Sequence, residues 1–241
     1  MPRNSTVSCS RSHSRRRVWR KDSAHAMTEP KQNRNDNETA QLHLTNRFTS
    51  AVDYARHLHI ERRKGTDIPY MAHLLGVAAL VMGESGHAGF PVTEDMVIAA
   101  LLHDAAEDHG GKLRLNDIEH NFGSNVSRMV EGLSDSLAED PVKKQSWQQR
   151  KETYIERLRE EPADVQLVSV ADKLYNARTI LEDYRVIGSR IWERFKRGRR
   201  AQIWYFDELL KVYRSSGASR IVDELERVIN ELRQISAEES H

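Results

Sequence analysis

From Phe48 onward, apolar residues return at intervals of three and four. Phe48, Val52, Ala55 and Leu58 do so in one segment, Val97, Ala100, Leu101 and Ala105 in a second, and Val168, Val170, Leu174, Ala177 and Leu181 in a third. That spacing lines each set along one side of an α-helix, so the pattern predicts amphipathic helices throughout. Turn-forming residues fall between the segments, at Gly65-Thr66-Asp67, Gly83 to Pro91, Gly110-Gly111, Gly123, Asp140-Pro141, Pro162 and Gly188. Gly110 stands where a helix would stop, and Thr93 before Glu94 and Ser124 after Gly123 are candidate N-caps. The period-two alternation of half-buried strands is missing. The chain therefore reads as one all-α domain over 44–215, with a last helix, Ile221 to Ile235, packing on it from the segment 216–241. It shows no internal repeat and no Gly-rich phosphate loop.

Residues 1–43 break this pattern. They are rich in Ser, Arg, Asn and Thr and have no apolar period, so burial cannot offset the entropy of ordering them and a disordered tail is expected. Met27 offers an alternative start, which would leave 1–26 upstream of the protein; their Arg-rich, acid-poor composition also fits a transit peptide. These residues hold six Arg and one Lys against one Asp, so the overall charge of +1 conceals a basic tail on an acidic body. Such a body argues against an extended nucleic-acid surface, and only the tail could bind that way.

The length of 241 residues allows one large domain or two small ones. Leu74 to Met82, the longest nearly uninterrupted apolar stretch, falls far short of the roughly 20 residues that span a bilayer, and no secretory apolar region follows the start. No membrane partner and a cytoplasmic location are expected. The single cysteine, Cys9, excludes an internal disulfide and a cysteine-based zinc site, so a metal would need His and carboxylate ligands.

Three polar sites interrupt apolar helical segments: His73 in Pro69-Tyr-Met-Ala-His73, His103-Asp104 in Ala99-Ala-Leu-Leu-His-Asp, and Asp172 in Val170-Ala-Asp-Lys-Leu-Tyr-Asn176. Burying such groups is costly unless they are paired or metal-bound, and one shared His2Asp2 metal centre would account for all three. Two imidazoles and two carboxylates suit Mn, Fe or Zn and leave positions open for water. Glu107 and Asp108 follow His103-Asp104 by helical spacing and are placed to move protons beside that centre. Arg62-Arg63-Lys64 forms a basic turn before His73, suited to stacking on a base or gripping phosphate. Asn176 and Thr179 lie four and seven residues after Asp172, where they could hydrogen-bond a sugar or phosphate. Each piece alone has a plainer reading: a core histidine, a solvated helix end, a basic complement to a helix C-terminus. Their ordered combination favours the shared site.

These motifs carry a family resemblance. The stretch from about 47 to 185 resembles the HD-domain metal-dependent phosphohydrolases, and within them the hydrolase domain of the RelA/SpoT-type alarmone enzymes and their small stand-alone relatives. The matching pieces are Arg63-Lys64 with Pro69-Tyr70-Met-Ala-His73, Ala99-Ala-Leu-Leu-His-Asp with Glu107-Asp108, Phe122-Gly123, Glu131-Gly-Leu-Ser-Asp135, and Ala171-Asp-Lys-Leu-Tyr-Asn-Ala-Arg-Thr179. The resemblance implies an HD-domain helical bundle with a Mn2+-dependent site that removes pyrophosphate from the 3′ position of ppGpp or pppGpp, giving GDP or GTP. By motif, His73, His103, Asp104 and Asp172 would be the metal ligands and Glu107 and Asp108 the pair that activates water. Arg63 and Lys64 would contact base and phosphate, and Asn176 and Thr179 would hold the nucleotide. The remaining length has no room for a synthetase portion, so a hydrolase-only form is implied. Departures are Leu74 where the family commonly has Pro, Ala105-Ala106 where it has Thr-Val, and a slightly longer turn, Gly65-Thr-Asp-Ile-Pro69. That turn lies where a purine would stack. The alternatives are an HD phosphohydrolase for another nucleotide, such as an adenine alarmone, a nucleoside monophosphate or a dinucleotide phosphate, and a non-catalytic nucleotide sensor.

Overall fold

Helices in the computed structural model begin and end where the turn residues stand. The structure describes residues 41–137, 145–215 and 219–238; the Asp140-Pro141 turn and nearly all of the expected tail lie outside them. In chain order the helices are α1 (Asn46–Leu58), α2 (Met71–Gly83), α3 (Glu94–Leu102), α4 (Ala105–Asp108), α5 (Gly111–Phe122), α6 (Ser124–Leu133), α7 (Trp147–Glu160), α8 (Ala163–Ile187), α9 (Gly198–Tyr213) and α10 (Ser219–Glu238). A 3-10 segment, Gly188–Arg194, joins α8 to α9. The β pairing among the described residues is an isolated bridge between Arg62 and Pro69.

Local chemistry sets these boundaries. Thr93 caps α3, its hydroxyl accepting from the Met96 amide at 3.4 Å. Gly110 follows α4 in the left-handed region at φ 112°, a conformation that costs glycine little. Ser124 is not the cap of α6, as its sequence position suggested. It is the first helical residue, and Gly123 before it takes the cap position at φ 94°, closing α5 and opening α6 at once. The helix expected to run through His103 to Asp108 is also two pieces, α3 and α4. His103 Nδ1 lies 2.9 Å from the Ala100 carbonyl, the acceptor that the Asp104 amide would use in an unbroken helix.

The core lies between α3 and α8. α3 is apolar on all sides and Met96 to Leu102 are all buried, enclosed by α1, α2, α6 and α8. α8, 25 residues long, packs against α2, α3, α6, α9 and α10. α2 and α8 approach closely because position 76 has no side chain: a Cβ on Gly76 would stand 2.0 Å from the Tyr175 ring. α10 covers α8 and α9, pairs Glu224 with Arg178 at 3.1 Å, and sends Arg220 to the buried Glu84 at the end of α2 at 2.9 Å. Leu42 and Leu44 pack against the same core. No helix among the described residues is long and apolar enough to cross a membrane.

Candidate metal centre

Three elements bring four side chains to one focus: His73 from α2, His103 and Asp104 from the α3–α4 junction, and Asp172 from α8. The two His Nε2 atoms are 3.2 Å apart. His103 Nε2 is 3.0 Å from Asp104 Oδ2 and 3.7 Å from Asp172 Oδ1; His73 Nε2 is 3.6 Å and 3.4 Å from the same oxygens. His73, His103 and Asp172 are all buried. The structure thus brings together the four side chains that the sequence suggests as ligands, and one potential ligand atom each of His73, His103 and Asp172 falls within 4.8 Å of the others.

Whether these residues fit a cation can be read from their hydrogen bonds. Only a protonated Nδ1 can donate to the Ala100 carbonyl, so His103, when neutral, presents a bare Nε2 lone pair to His73 and two carboxylates. A backbone-anchored Nδ1 with Nε2 facing other donors is the arrangement a ligating imidazole needs. The electrostatics agree. Against their burial, Asp104 is held well below the ordinary carboxylate range by His103 and His73, and Asp172 by Lys173, His103 and His73. Burial pushes His73 down, whereas His103 is pushed up, against burial, by Asp104 and Asp172. A positive charge is favoured at the focus, whether a proton or a metal supplies it, and the N2O2 donor set suits a divalent transition ion.

Neighbouring side chains fix the two carboxylates. The Tyr70 hydroxyl donates to Asp104 Oδ2 at 2.5 Å, and Asn176 Nδ2 donates to Asp172 Oδ1 at 2.6 Å. Arg63 Nη2 donates to Asn176 Oδ1 at 2.9 Å, while its guanidinium lies 5.3 Å from the centre of the Tyr175 ring. Asn176 therefore already binds Asp172 and Arg63, a role the sequence did not suggest. The Thr179 hydroxyl donates back to the Tyr175 carbonyl at 2.8 Å, so its hydrogen is used within α8.

Glu107 and Asp108 line a cavity of about 230 Å³ together with His73, His103, Asp104 and Asp172. Burial, then the hydrogen bond and charge of Asp135, push Glu107 up to about 8. Asp135 is held low against its own burial by Glu107, Lys151 and Arg150, with Lys151 Nζ at 2.6 Å and Arg150 Nη1 at 2.7 Å. The pairing favours a protonated Glu107 beside an ionised Asp135, whose backbone amide donates to Glu107 Oε2 at 3.1 Å. Asp108 is raised by burial and by Asp104. Sequence reasoning gave no role to Tyr70, Asp135, Lys151 or Tyr175; Asp135 stands 28 residues from Glu107, and no local spacing signals that pairing.

Beside this cavity is a chamber of about 310 Å³ whose lining includes Arg63, Lys64, Thr179, Trp147, Lys196 and Arg197. Through its bond to Asn176, Arg63 joins the two spaces. Within the described residues neither Lys64, Lys196 nor Arg197 has a carboxylate in ion-pair range, whereas the neighbouring Arg194 pairs with Asp183 at 2.5 Å. The chamber therefore presents apolar surface and uncompensated positive charge, which suits a nucleotide's base and phosphates.

Comparison with known proteins points the same way. A model of the HD domain matches residues 51–202. The guanosine-3′,5′-bis(diphosphate) 3′-pyrophosphohydrolase MESH1 of Mus musculus is 35% identical over 135 residues, 54% of this chain and 67% of the relative. Its Homo sapiens counterpart is 34% identical over the same shares. A GTP pyrophosphokinase rsh of Brucella melitensis is 31% identical over 133 residues, 55% of this chain but 17% of that longer protein. Among solved structures, a metazoan ortholog of SpoT that hydrolyzes ppGpp shares the fold at TM-score 0.62 and 24% identity, covering 80% of this chain and 97% of its own. A crystal structure from Listeria monocytogenes EGD-e matches at TM-score 0.55 and 30% identity, covering 67% and 99%.

Proposed function

The chain belongs to the HD-domain family, and from that premise we propose that it hydrolyses the 3′-pyrophosphate of guanosine-3′,5′-bis(diphosphate) or its 5′-triphosphate form, releasing pyrophosphate and GDP or GTP. It is a metal-dependent phosphohydrolase. The observation that carries the reading is the convergence of His73, His103, Asp104 and Asp172 on one focus, next to a cationic chamber of nucleotide character. Mn2+ is the ion we assign, on the strength of the donor set and the family pattern. When bound, a divalent ion supplies Lewis acidity toward phosphate oxygens and makes water more acidic.

The protein's own groups divide the remaining work. Tyr70 and Asn176 hold Asp104 and Asp172 in place, each through one hydrogen bond. Asp108 accepts a proton from the water that attacks the 3′-linked phosphorus. Glu107, protonated at neutral pH because burial and Asp135 raise it, gives its proton to the departing ribose 3′ oxygen. Arg63, resting on the Tyr175 ring and tied to Asn176, lies between metal ligand and chamber and positions the nucleoside. Lys64 and Thr179 complete the chamber wall. A cytoplasmic site of action belongs to the same reading, supported by a sequence with one cysteine.

Incubating the purified protein with Mn2+ and ppGpp and separating the products tests this. Pyrophosphate with GDP is the expected pair. Orthophosphate, or no product at all while another nucleotide is consumed, would overturn it.

A further inference from the structure

A second group of three side chains lies apart from the ligands described above. His59 ends α1, Glu61 lies in the turn that follows, and His109 follows α4. His59 Nδ1 is 2.8 Å from Glu61 Oε1 and 3.3 Å from His109 Nε2, and His109 Nε2 is 3.9 Å from Glu61 Oε1. One potential ligand atom from each residue falls within 4.8 Å of the others.

With Glu61 ionised, no arrangement of protons makes both close contacts full hydrogen bonds. His59 Nδ1 carries at most one proton. If that proton goes to Glu61, the nitrogens of His59 and His109 face one another without a hydrogen directed between them. If His109 Nε2–H donates to His59 Nδ1 instead, a carboxylate oxygen sits 2.8 Å from a lone pair. Two imidazole nitrogens facing each other beside a carboxylate are also the signature of the first centre, where His73 and His103 stand 3.2 Å apart beside Asp172. A cation bound at about 2.0–2.1 Å by tetrahedral N and O ligands separates them by about 3.3–3.4 Å, and the three distances here straddle that value.

From this geometry we propose that His59, Glu61 and His109 form a second divalent transition-metal site, with a His2Glu donor set that suits Zn2+. Its setting supports a built site. His59 is buried, held flat against the Tyr70 ring at 5.1 Å with 16° between planes, so the innermost ligand is positioned before any ion arrives. Glu61 and His109 are partly open to solvent, leaving a route in and room for a water as fourth ligand. The same Tyr70 donates to Asp104, so an ion here would sit one aromatic ring away from the first centre and influence it through that ring.

The test counts ions rather than turnover. Protein stripped by a chelator is titrated with Zn2+ alone, in the wild type and in His109→Gln, Glu61→Gln and Asp172→Asn, with thermal melts to confirm that each variant is folded. The expected result is two ions per chain in the wild type. The weaker of the two should lose at least tenfold in affinity in both His109→Gln and Glu61→Gln, and should persist in Asp172→Asn. His59 is left unaltered because its burial would confuse loss of ligand with loss of fold. Saturation of the wild type at one ion, or a second ion bound within tenfold of wild-type affinity in either His109→Gln or Glu61→Gln, would overturn the proposal.

Discussion

Gly76→Ala tests the link between helix packing and the nucleotide chamber. The added Cβ would lie 2.0, 2.5 and 2.9 Å from three atoms of the Tyr175 ring, and ordinary contact begins at 3.4 Å, so the ring must retreat by about 1.4 Å or α2 and α8 must part. Overpacking of this kind costs about 1–3 kcal/mol. For a chain of this size each kcal/mol lowers Tm by about 2–4 °C, so a fall of about 2–12 °C is expected. The functional effect follows from what the ring supports: Arg63 rests on it and bonds Asn176, which in turn holds Asp172. KM for the nucleotide should therefore rise more than kcat falls, because substrate placement is disturbed while His103 and Asp104 keep their anchors on the Ala100 carbonyl and Tyr70. Calorimetry and steady-state kinetics measure both. Truncating the obstacle in the double variant Gly76→Ala/Tyr175→Ala should relieve the clash, making the pair less destabilised than the two single changes added together. A Tm within a degree of wild type, or strictly additive losses, would refute the reasoning.

Other expectations are more direct. Asp104→Ala should abolish both bound metal and turnover, read by metal analysis and product formation, with the fold largely retained. Glu107→Gln and Asp108→Asn should keep the metal yet lose about 10²- to 10⁴-fold in kcat, the usual worth of general acid–base catalysis; wild-type rates in both would remove the pair from the mechanism. With Glu107 in the proposed role of acid and its carboxyl raised to about 8, the wild-type rate should fall as pH rises through that value. Asp135→Asn removes a charge that raises Glu107 and leaves Arg150 and Lys151 facing it, so this alkaline limb should move to lower pH. An unmoved limb would assign it to another group.

Much of this molecule is legible in its sequence because the signals are local. The apolar period of α1, α3 and α8 is imposed by helix geometry, and glycines such as Gly110 and Gly123 stand where only a left-handed or otherwise unusual backbone will close a turn. His73, His103 and Asp172 attract notice because charged or polar groups are costly inside apolar runs. Features that depend on distant partners are hidden. The break at His103 arises from a side chain taking its own helix's carbonyl, and the pairing of Glu107 with Asp135 joins α4 to the turn after α6. The His59–His109 contact spans 50 residues and is visible only once the ends of α1 and α4 are brought together.

The unpaired cations of the chamber have a kinetic meaning as well as a binding one. Most other basic side chains of the described residues are matched to a carboxylate, and outside the first 26 residues acids outnumber bases. A polyanion diffusing toward such a surface is drawn toward Lys64, Lys196 and Arg197, where no carboxylate among the described residues offsets the charge. The molecule's field thus selects the direction of encounter before any hydrogen bond forms. Raising ionic strength from about 0.1 M to 1 M shortens the screening length from about 10 Å to about 3 Å, which confines that guidance to the chamber mouth and slows capture without touching the chemical step.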